Sequence, residues 1–283
     1  MKHYGLVVLG FLASCAQLDV AAVNLPTHFD SIHNINDITY NLQTKQKLDL
    51  YLPPTHEEKT LPVVVFLHGG RWQAGSKDDY PFVGSALAKK GYITVIPDYR
   101  KYPDVQFPAY VDDAAAALVW VQKHIKEYGG NPHLIHVMGH SAGAHIGALA
   151  VTDPRYLKKY GKPRSLVKTF VGLAGPYDFI PDEPDLIAMF GPPSRYASMQ
   201  VTTFVDGKEP PMLLLWGRDD TAVKKSNMDK LATRIHRMRG CVKTKIYSET
   251  DHIWIIANLS WLGSSDSSLL NDIVGFMQNP ICE

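Results

Sequence analysis

Apolar and polar residues alternate in two short segments near residue 40 and then give way to longer apolar runs. Thr39–Leu42 and Lys47–Tyr51 alternate, as expected of an antiparallel strand pair at a sheet edge. Pro62–Leu67 is a continuous apolar run rich in valine, which is typical of a strand buried on both faces. Further strands are predicted at Tyr92–Ile96, Leu134–Met138, Lys168–Leu173, Met212–Trp216 and Lys243–Tyr247. Helices are predicted at Tyr80–Lys90, Tyr110–Tyr128, Ala142–Val151, Val223–Arg239 and Asp266–Gln278.

This regular succession of strands and helices predicts a single three-layer α/β fold with a mostly parallel eight-stranded sheet. The stretch Pro176–Pro211 interrupts the pattern and is rich in proline, glycine and aspartate. We expect it to form a small cap over the strand ends, at about residues 176–211.

The first residues resemble an export signal. A short polar start at Lys2 and His3 precedes the apolar run Gly5–Leu12, which is too short to span a bilayer. The run Leu12-Ala13-Ser14-Cys15 resembles a bacterial lipobox, which predicts a signal peptide over residues 1–14 and a lipidated Cys15. Residues 15–36 would then form a lipid-attached tether.

The lipid anchor predicts a membrane-attached protein of a bacterial cell envelope. No acidic residue lies directly beside Cys15, which favours the periplasmic side of the outer membrane over inner-membrane retention. The alternative is an ordinary signal peptide and a secreted protein.

Charge and cysteine content narrow the picture further. The chain has 283 residues with 29 basic and 28 acidic side chains, so nothing in its charge indicates a nucleic-acid partner. Beyond Cys15 the sequence contains only Cys241, just before the last predicted strand, and Cys282, which we place at the end of the final helix. Both should lie at the sheet edge opposite the candidate active site. We expect a disulfide between them, with two free thiols as the alternative.

The strongest chemical signal is Gly139-His140-Ser141-Ala142-Gly143, which joins a predicted strand to a predicted helix. This is the context of the G-x-S-x-G nucleophile elbow, in which a strained turn lifts the serine above the sheet. The flanking glycines are required because bulky side chains would not fit beside that turn. Ser141 is therefore the predicted nucleophile.

A serine nucleophile needs a base, and the base needs an acid that orients it. Asp220 follows the predicted strand Met212–Trp216, and His252 follows the strand Lys243–Tyr247. The chain order Ser141, Asp220, His252 is the order expected of this fold. Asp219 and Asp251 are adjacent alternatives, but we expect the side chain of Asp219 to point away.

The segment His68-Gly69-Gly70-Arg71-Trp72 follows the predicted strand Pro62–Leu67 and supplies a candidate oxyanion loop. Backbone N–H groups of Gly70, Arg71 and Ala142 are the predicted donors to the oxyanion. The predicted pocket residues are Trp72, Phe190 and Trp254. No set of histidine, cysteine and carboxylate residues has metal-site spacing, so we expect neither a metal nor a cofactor.

These motifs together resemble the esterase branch of the α/β-hydrolase superfamily. The set comprises HGGRW, DYR (residues 98–100), YGGNP (residues 128–132), GHSAGAH and GRDD. The branch includes hormone-sensitive-lipase-like carboxylesterases, prenylcysteine methylesterases, kynurenine formamidase and bacterial feruloyl-esterase-like proteins. The resemblance begins at about Asp37 and implies an α/β-hydrolase domain over residues 37–283. Arg71 departs from it by replacing a third glycine.

The predicted function is a serine carboxylesterase that hydrolyses a small or medium carboxylic ester through an acyl-enzyme. An amidase of the kynurenine-formamidase type would share every catalytic residue and is the main alternative. A non-catalytic binding protein on a hydrolase fold is the remote one. The sequence leaves the oligomeric state open.

Overall fold

Eight strands form one sheet in the part of the chain that the structure describes. The structure is a computed structural model, which describes residue 20 and residues 22–54, 60–263 and 268–282. The strand order across the sheet is β1-β2-β4-β3-β5-β6-β7-β8. The strands are β1 (His33–Asn41), β2 (Gln46–Leu52), β3 (Leu61–Leu67), β4 (Ile93–Pro97), β5 (Gly130–His140), β6 (Val167–Leu173), β7 (Met212–Gly217) and β8 (Val242–Tyr247).

The sheet is antiparallel only at one edge. β1 pairs with β2 and β2 with β4 in antiparallel register, whereas β4, β3, β5, β6, β7 and β8 are parallel. Successive side chains of a strand point to opposite faces, so the apolar run in β3 serves two cores. Val63 and Val65 pack into one core, and Val64 and Phe66 pack into the other.

Helices cover both faces of the sheet and complete three layers. One core receives side chains from α2, α3 and α7, and the other receives side chains from α1, α8 and α9. This confirms the predicted fold class. The helices are α1 (Pro81–Lys89), α2 (Ala109–His124), α3 (Ala142–Thr152), α4 (Pro154–Lys158), α5 (Pro184–Phe190), α6 (Tyr196–Met199), α7 (Ser226–Arg237), α8 (Trp254–Ala257) and α9 (Ser268–Gln278).

The cap segment between β6 and β7 consists of short helices. It contains α5, α6 and two 3₁₀ turns at Pro193–Arg195 and Val201–Phe204. Its inner side is apolar, since Met189, Phe190 and Met199 are buried against the helices of the main domain. The segment, which connects β6 to β7, therefore has its own small hydrophobic contact with the main domain.

The predicted boundary between tether and domain at residues 36 and 37 is wrong. β1 begins at His33, and the described residues before it pack on the domain. The side chain of Asn24 donates to the carbonyl of Asp79 (3.0 Å) and accepts from the backbone N–H of Phe82 (3.0 Å). Asn24 thus satisfies one of the unpaired N–H groups at the start of α1. This contact spans more than fifty residues of sequence, which is why local pattern did not reveal it.

The start of one predicted helix and the position of Cys282 also differ. α7 starts at Ser226 rather than Val223, because Asp220 accepts hydrogen bonds from the N–H groups of Ala222 and Val223 and holds them in a turn. The last helix ends at Gln278, so Cys282 lies beyond it and past Pro280 rather than at its end. Proline cannot continue a helix, which explains the earlier stop.

Candidate active site

Ser141 lies in the turn between β5 and α3, and its backbone is in an unusual conformation. Its φ is +53° and its ψ is −121°, a region that non-glycine residues rarely adopt. A Cβ atom on Gly139 would lie 2.5 Å from the carbonyl oxygen of Gly143, and one on Gly143 would lie 2.0 Å from that of Leu67. Both glycines are therefore required for the sharp turn that presents the serine at the carboxyl end of β5.

A hydrogen-bonded chain connects the three predicted triad residues. Nε2 of His252 lies 2.8 Å from Oγ of Ser141, and Nδ1 of His252 lies 2.8 Å from Oδ2 of Asp220. A carboxylate can only accept, so Nδ1 carries the proton and Nε2 is free to accept the serine proton. The geometry is that of a nucleophile, a base and an orienting acid.

The structure also distinguishes Asp220 from its carboxylate neighbours. The side chain of Asp220 is fully buried, and its second oxygen accepts from the N–H groups of Ala222 (2.9 Å) and Val223 (2.8 Å). Asp219 is exposed, and Asp251 accepts from the N–H groups that follow His252 in its own loop. Burial and three accepted hydrogen bonds fix Asp220 as the carboxylate that faces His252.

The loop after β3 has a strained and highly specific backbone. Gly70 has a φ of +126°, and a Cβ there would lie 2.1 Å from the carbonyl oxygen of Ala74. Arg71 and Trp72 follow with φ values of +54° and +60°. Among the described residues, none accepts a hydrogen bond from the N–H of Gly70 or Arg71. Ala142 is the first residue of α3, whose N–H has no partner within the helix.

This candidate oxyanion loop is held by one hydrogen bond from outside it and by one within it. The hydroxyl of Tyr99 donates to the carbonyl of His68 (2.9 Å), and Nδ1 of His68 lies 2.7 Å from the carbonyl of Gly69. Burial raises the pKa of Asp98, but His68, whose Nε2 lies 3.4 Å away, and a hydrogen bond from the Lys77 N–H outweigh it and hold that pKa below its usual value. In the sequence, Asp98 and Tyr99 stand out only as part of the motif DYR.

On its outer side the loop is linked to the cap by Arg71. The guanidinium contacts Glu183 (2.7 Å) and Asp185 (3.1 Å), and the amide of Gln73 donates to Asp185 (2.7 Å). Hydrogen bonds from Arg71 and Gln73 lower the pKa of Asp185 to about 2. The residue that replaces the third glycine thus connects the candidate oxyanion loop to α5.

Two of the three predicted pocket residues belong to one buried aromatic cluster. Trp72 and Phe190 are 4% and 2% exposed, and their rings meet edge to face with centroids 5.0 Å apart. The ring of His145, one helical turn after Ser141, contacts both of them. Trp254 is half exposed on α8 and takes part in none of these ring contacts. Trp72 and Phe190 therefore pack against α3, the helix that begins directly after Ser141.

Cys241 and Cys282 form a disulfide with Cα atoms 5.3 Å apart. Cys241 directly precedes β8, so the bond lies at the amino end of an edge strand, and the site lies at the carboxyl ends. The predicted lipidation residue, Cys15, lies outside the described residues.

Three further findings concern metal sites, membrane-spanning helices and surface cavities. No group of three or more histidine, cysteine or acidic residues within the described ranges has a geometry that could hold a metal ion. None of the helices in the described ranges has the length and apolar character needed to cross a bilayer. Two surface cavities of about 570 Å³ each are lined by residues other than the three of the triad.

Comparison with known structures defines the class to which this architecture belongs. An esterase from Pyrobaculum calidifontis superposes with a TM-score of 0.79 at 18% identity, covering 100% of this chain and 96% of that one. Esterase B of Lactobacillus rhamnosis, in a phosphonate-inhibited crystal structure, gives a TM-score of 0.77 at 20% identity and covers 98% and 96%. The fold is the α/β-hydrolase fold.

Sequence comparison identifies the family within that class. The BD-FAE family model matches residues 48–235, more than half of the chain, and the protein belongs to the BD-FAE family.

Curated relatives of this chain carry names of ester hydrolases. A probable isoprenylcysteine alpha-carbonyl methylesterase of Arabidopsis thaliana is 28% identical over 87% of this chain and 56% of its own length. The probable carboxylic ester hydrolase LipM of Mycobacterium tuberculosis is 33% identical over 66% of this chain and 48% of its own length. The chain thus spans about half the length of these relatives.

Proposed function

We propose that this protein is a serine-dependent carboxylic ester hydrolase. The observation that carries the proposal is the continuous chain of hydrogen bonds from Asp220 through His252 to the strained Ser141, with both links at 2.8 Å. The names of the curated relatives support ester chemistry in the same direction.

The reaction begins when Nε2 of His252 takes the hydroxyl proton of Ser141 while Oγ attacks the acyl carbonyl. The N–H groups of Gly70, Arg71 and Ala142 stabilise the negative charge on the carbonyl oxygen, where one such donor is worth roughly 2.7–4 kcal/mol. The imidazolium then gives its Nε2 proton to the departing alcohol, which leaves an acyl-enzyme. Water then attacks the acyl carbonyl of the acyl-enzyme while His252 takes a proton from it. His252 returns that proton to Oγ of Ser141, and the carboxylic acid is released.

Asp220 acts through the base rather than on the substrate. Its Oδ2 accepts from Nδ1 of His252, while its Oδ1 is occupied by two backbone N–H groups. The carboxylate is therefore held in place before the imidazole becomes charged. It fixes the tautomer of His252 and stabilises the imidazolium once that has formed.

The aromatic cluster favours small or medium acyl groups. Trp72 follows the candidate oxyanion donors directly, and it packs with Phe190 against His145 of the helix that begins at Ser141. We expect these rings to border the acyl pocket, where a long acyl chain would have to displace them. We expect acetate and butyrate esters to be hydrolysed faster than an octanoate ester.

The test is turnover of p-nitrophenyl acetate, butyrate and octanoate beside N-formylkynurenine. Ser141→Ala should lower kcat by about 10⁶-fold. Ser198→Ala, in the cap, serves as the matched control and should retain full turnover. A fluorophosphonate probe should label the wild type and not Ser141→Ala.

Three results would contradict the proposal. Ester turnover that survives Ser141→Ala would exclude the serine mechanism. Formamide turnover far above ester turnover would show that the protein is an amidase rather than an esterase. If the wild type neither turns over any substrate nor reacts with the probe, the remaining interpretation is a non-catalytic binding protein.

We also propose that the protein is attached to a bacterial envelope membrane through a lipidated Cys15, on the periplasmic side of the outer membrane. The proposal rests on the sequence Leu12-Ala13-Ser14-Cys15. Mass spectrometry of the mature amino terminus should find an acylated Cys15, and Cys15→Ala should release the protein from membranes. An unmodified terminus would indicate secretion instead.

A further inference from the structure

We infer that His140 is a positioning residue that ties the loop of the base to the nucleophile elbow and the oxyanion loop. The inference rests on the proposed function, and it adds a residue to which the triad itself assigns no role. His140 is the last residue of β5 and directly precedes Ser141.

The first contact of His140 is with the loop that carries the base. Its Nε2 lies 2.9 Å from the backbone carbonyl of His252, and the two imidazole rings are 5.0 Å apart. A carbonyl oxygen can only accept, so Nε2 of His140 carries the proton and donates. The backbone of His252 is thereby held by the residue next to the nucleophile, across 112 positions of sequence.

The second contact is with the oxyanion loop. A Cβ atom on Gly69 would lie 2.9 Å from Nδ1 of His140 and 3.4 Å from its carbonyl oxygen. The His140 ring therefore occupies the space that any side chain at Gly69 would need, one residue before the candidate donor Gly70. One buried ring thus lies against all three segments that must act together in the reaction.

The environment of His140 keeps its ring neutral. Burial, followed by repulsion from a charged His252, lowers the pKa of His140 to about 3, although its bond to the His252 carbonyl and the charge of Asp220 act in the opposite direction. Nδ1 is buried and has no hydrogen-bond partner within the described residues. A neutral ring can hold the base loop without placing a second positive charge beside the imidazolium that forms at His252.

His136 provides a matched control within the same strand. It lies four residues earlier in β5, is also buried, and its Nδ1 lies 2.8 Å from Oγ1 of Thr169. Burial likewise lowers its pKa, to about 4. It differs from His140 in having no contact with His252 or Gly69 among the described residues.

The experiment compares His140→Leu, His140→Gln and His136→Leu with the wild type. We expect His140→Leu to lower kcat for p-nitrophenyl butyrate by about 10- to 100-fold with little change in KM, because a displaced base impairs the chemical step. The acid limb of its pH profile should move to lower pH, since a misplaced imidazolium is less stabilised by Asp220. His140→Gln retains a donor for the His252 carbonyl and should recover most of kcat. His136→Leu should lower thermal stability and leave kcat and the pH profile unchanged.

A second measurement does not depend on turnover. The Nδ1 proton of His252, hydrogen-bonded to Asp220, should give a low-field signal in NMR spectra of histidine-labelled protein. We expect that signal to shift or broaden in His140→Leu and to persist in His140→Gln and His136→Leu. If His140→Leu does not fold, His140→Asn takes its place, because its shorter amide cannot reach the His252 carbonyl.

The outcomes separate this inference from the proposed function. A wild type inactive on esters would contradict the function, and the NMR comparison would still decide the role of His140. A folded His140→Leu protein with wild-type kcat, pH profile and His252 signal would overturn the inference. Equal impairment of the Leu and Gln variants would also overturn it, since a mere packing role would then suffice.

Discussion

Buried polar groups of similar kind lie toward both ends of the parallel strands. Those at the carboxyl ends belong to the candidate active site, and those toward the amino ends form local stabilising contacts. At the carboxyl ends, Ser141 has a φ of +53°, and hydrogen bonds of Ser141, Asp220 and His140 converge on His252, the first two on its ring and the third on its backbone carbonyl. Further toward the amino ends, polar groups form local pairs, such as His136 with Thr169, and the disulfide of Cys241 and Cys282 lies at the amino end of β8. Parallel strands collect the loops that follow them at one edge, so chemistry gathers there and stabilising links are left to the other.

Burial alone does not identify a functional group in this protein. His136 and His140 lie on the same strand, and burial lowers the pKa of both. They differ in their hydrogen-bond partners, which are Thr169 for His136 and the backbone carbonyl of His252 for His140. Changes at the carboxyl ends should therefore alter activity, and changes at the amino ends should alter stability.

After replacement of the nucleophile itself, the largest effect is expected at the acid of the triad. Asp220→Asn should lower kcat by about 10⁴-fold, because an amide can hold His252 in the wrong tautomer. Thermal unfolding should show that the protein remains folded. Asp219→Asn is the control, since that exposed neighbour should leave kcat unchanged. Loss of activity in both variants would mean that the assignment of the acid is wrong.

The next largest effect concerns stability against pH. Burial lowers the pKa of His136 to about 4, of His140 to about 3 and of His145 to about 4, all from an ordinary 6.5. Between about pH 6.5 and pH 4 these three histidines bind protons in the unfolded chain but stay neutral in the folded protein. The free energy of unfolding therefore falls as the pH falls. Each group contributes about 1.4 kcal/mol per pH unit in that window.

Urea unfolding at pH 7 and pH 5 measures this loss. Replacing one of the three histidines, as in His136→Gln, should reduce the loss by about a third. An unchanged pH dependence in that variant would show that carboxylates or other groups control it.

The disulfide should matter for stability and not for activity. It closes a loop with a sequence separation of 41 residues, for which chain entropy gives at most about 4 kcal/mol. The double variant Cys241→Ser, Cys282→Ser should lower Tm by roughly 5–8 °C. Its kcat on p-nitrophenyl butyrate at 25 °C should match the wild type. A large fall in kcat in a folded double variant would contradict the separation of the two ends.

The smallest effect is expected where the cap meets the oxyanion loop. Arg71 and Asp185 form an exposed pair, so Asp185→Asn should change KM by a factor of about 5 or less. High salt should reproduce that change in the wild type and have less effect on the variant. The control is Asp229→Asn, which removes the exposed pair between Asp229 of α7 and Lys225. It should change neither KM nor the salt dependence of KM. A larger change in kcat would mean that the pair also positions the oxyanion donors.

Much of the fold was predictable because its signals are local. Alternating segments predicted β1 and β2, and the regular succession of strands and helices predicted the other six, although β1 begins at His33 rather than at Thr39. The packing of Asn24 on α1 was missed, since it depends on atoms of Asp79 and Phe82 that no neighbouring residue indicates. His140 was visible inside the elbow motif, but nothing in the motif shows that its ring reaches the His252 carbonyl.

By itself, the sequence determined the order of the elements, the position of the strained serine turn and the candidate residues after each strand. These follow from side-chain periodicity and from the steric limits on the backbone, which act over a few residues. Only the tertiary structure decided that Asp220 faces His252 while Asp219 is exposed, and that His140 rather than His136 touches the base. Those choices depend on distances between segments far apart in the chain, which packing sets and local pattern does not encode.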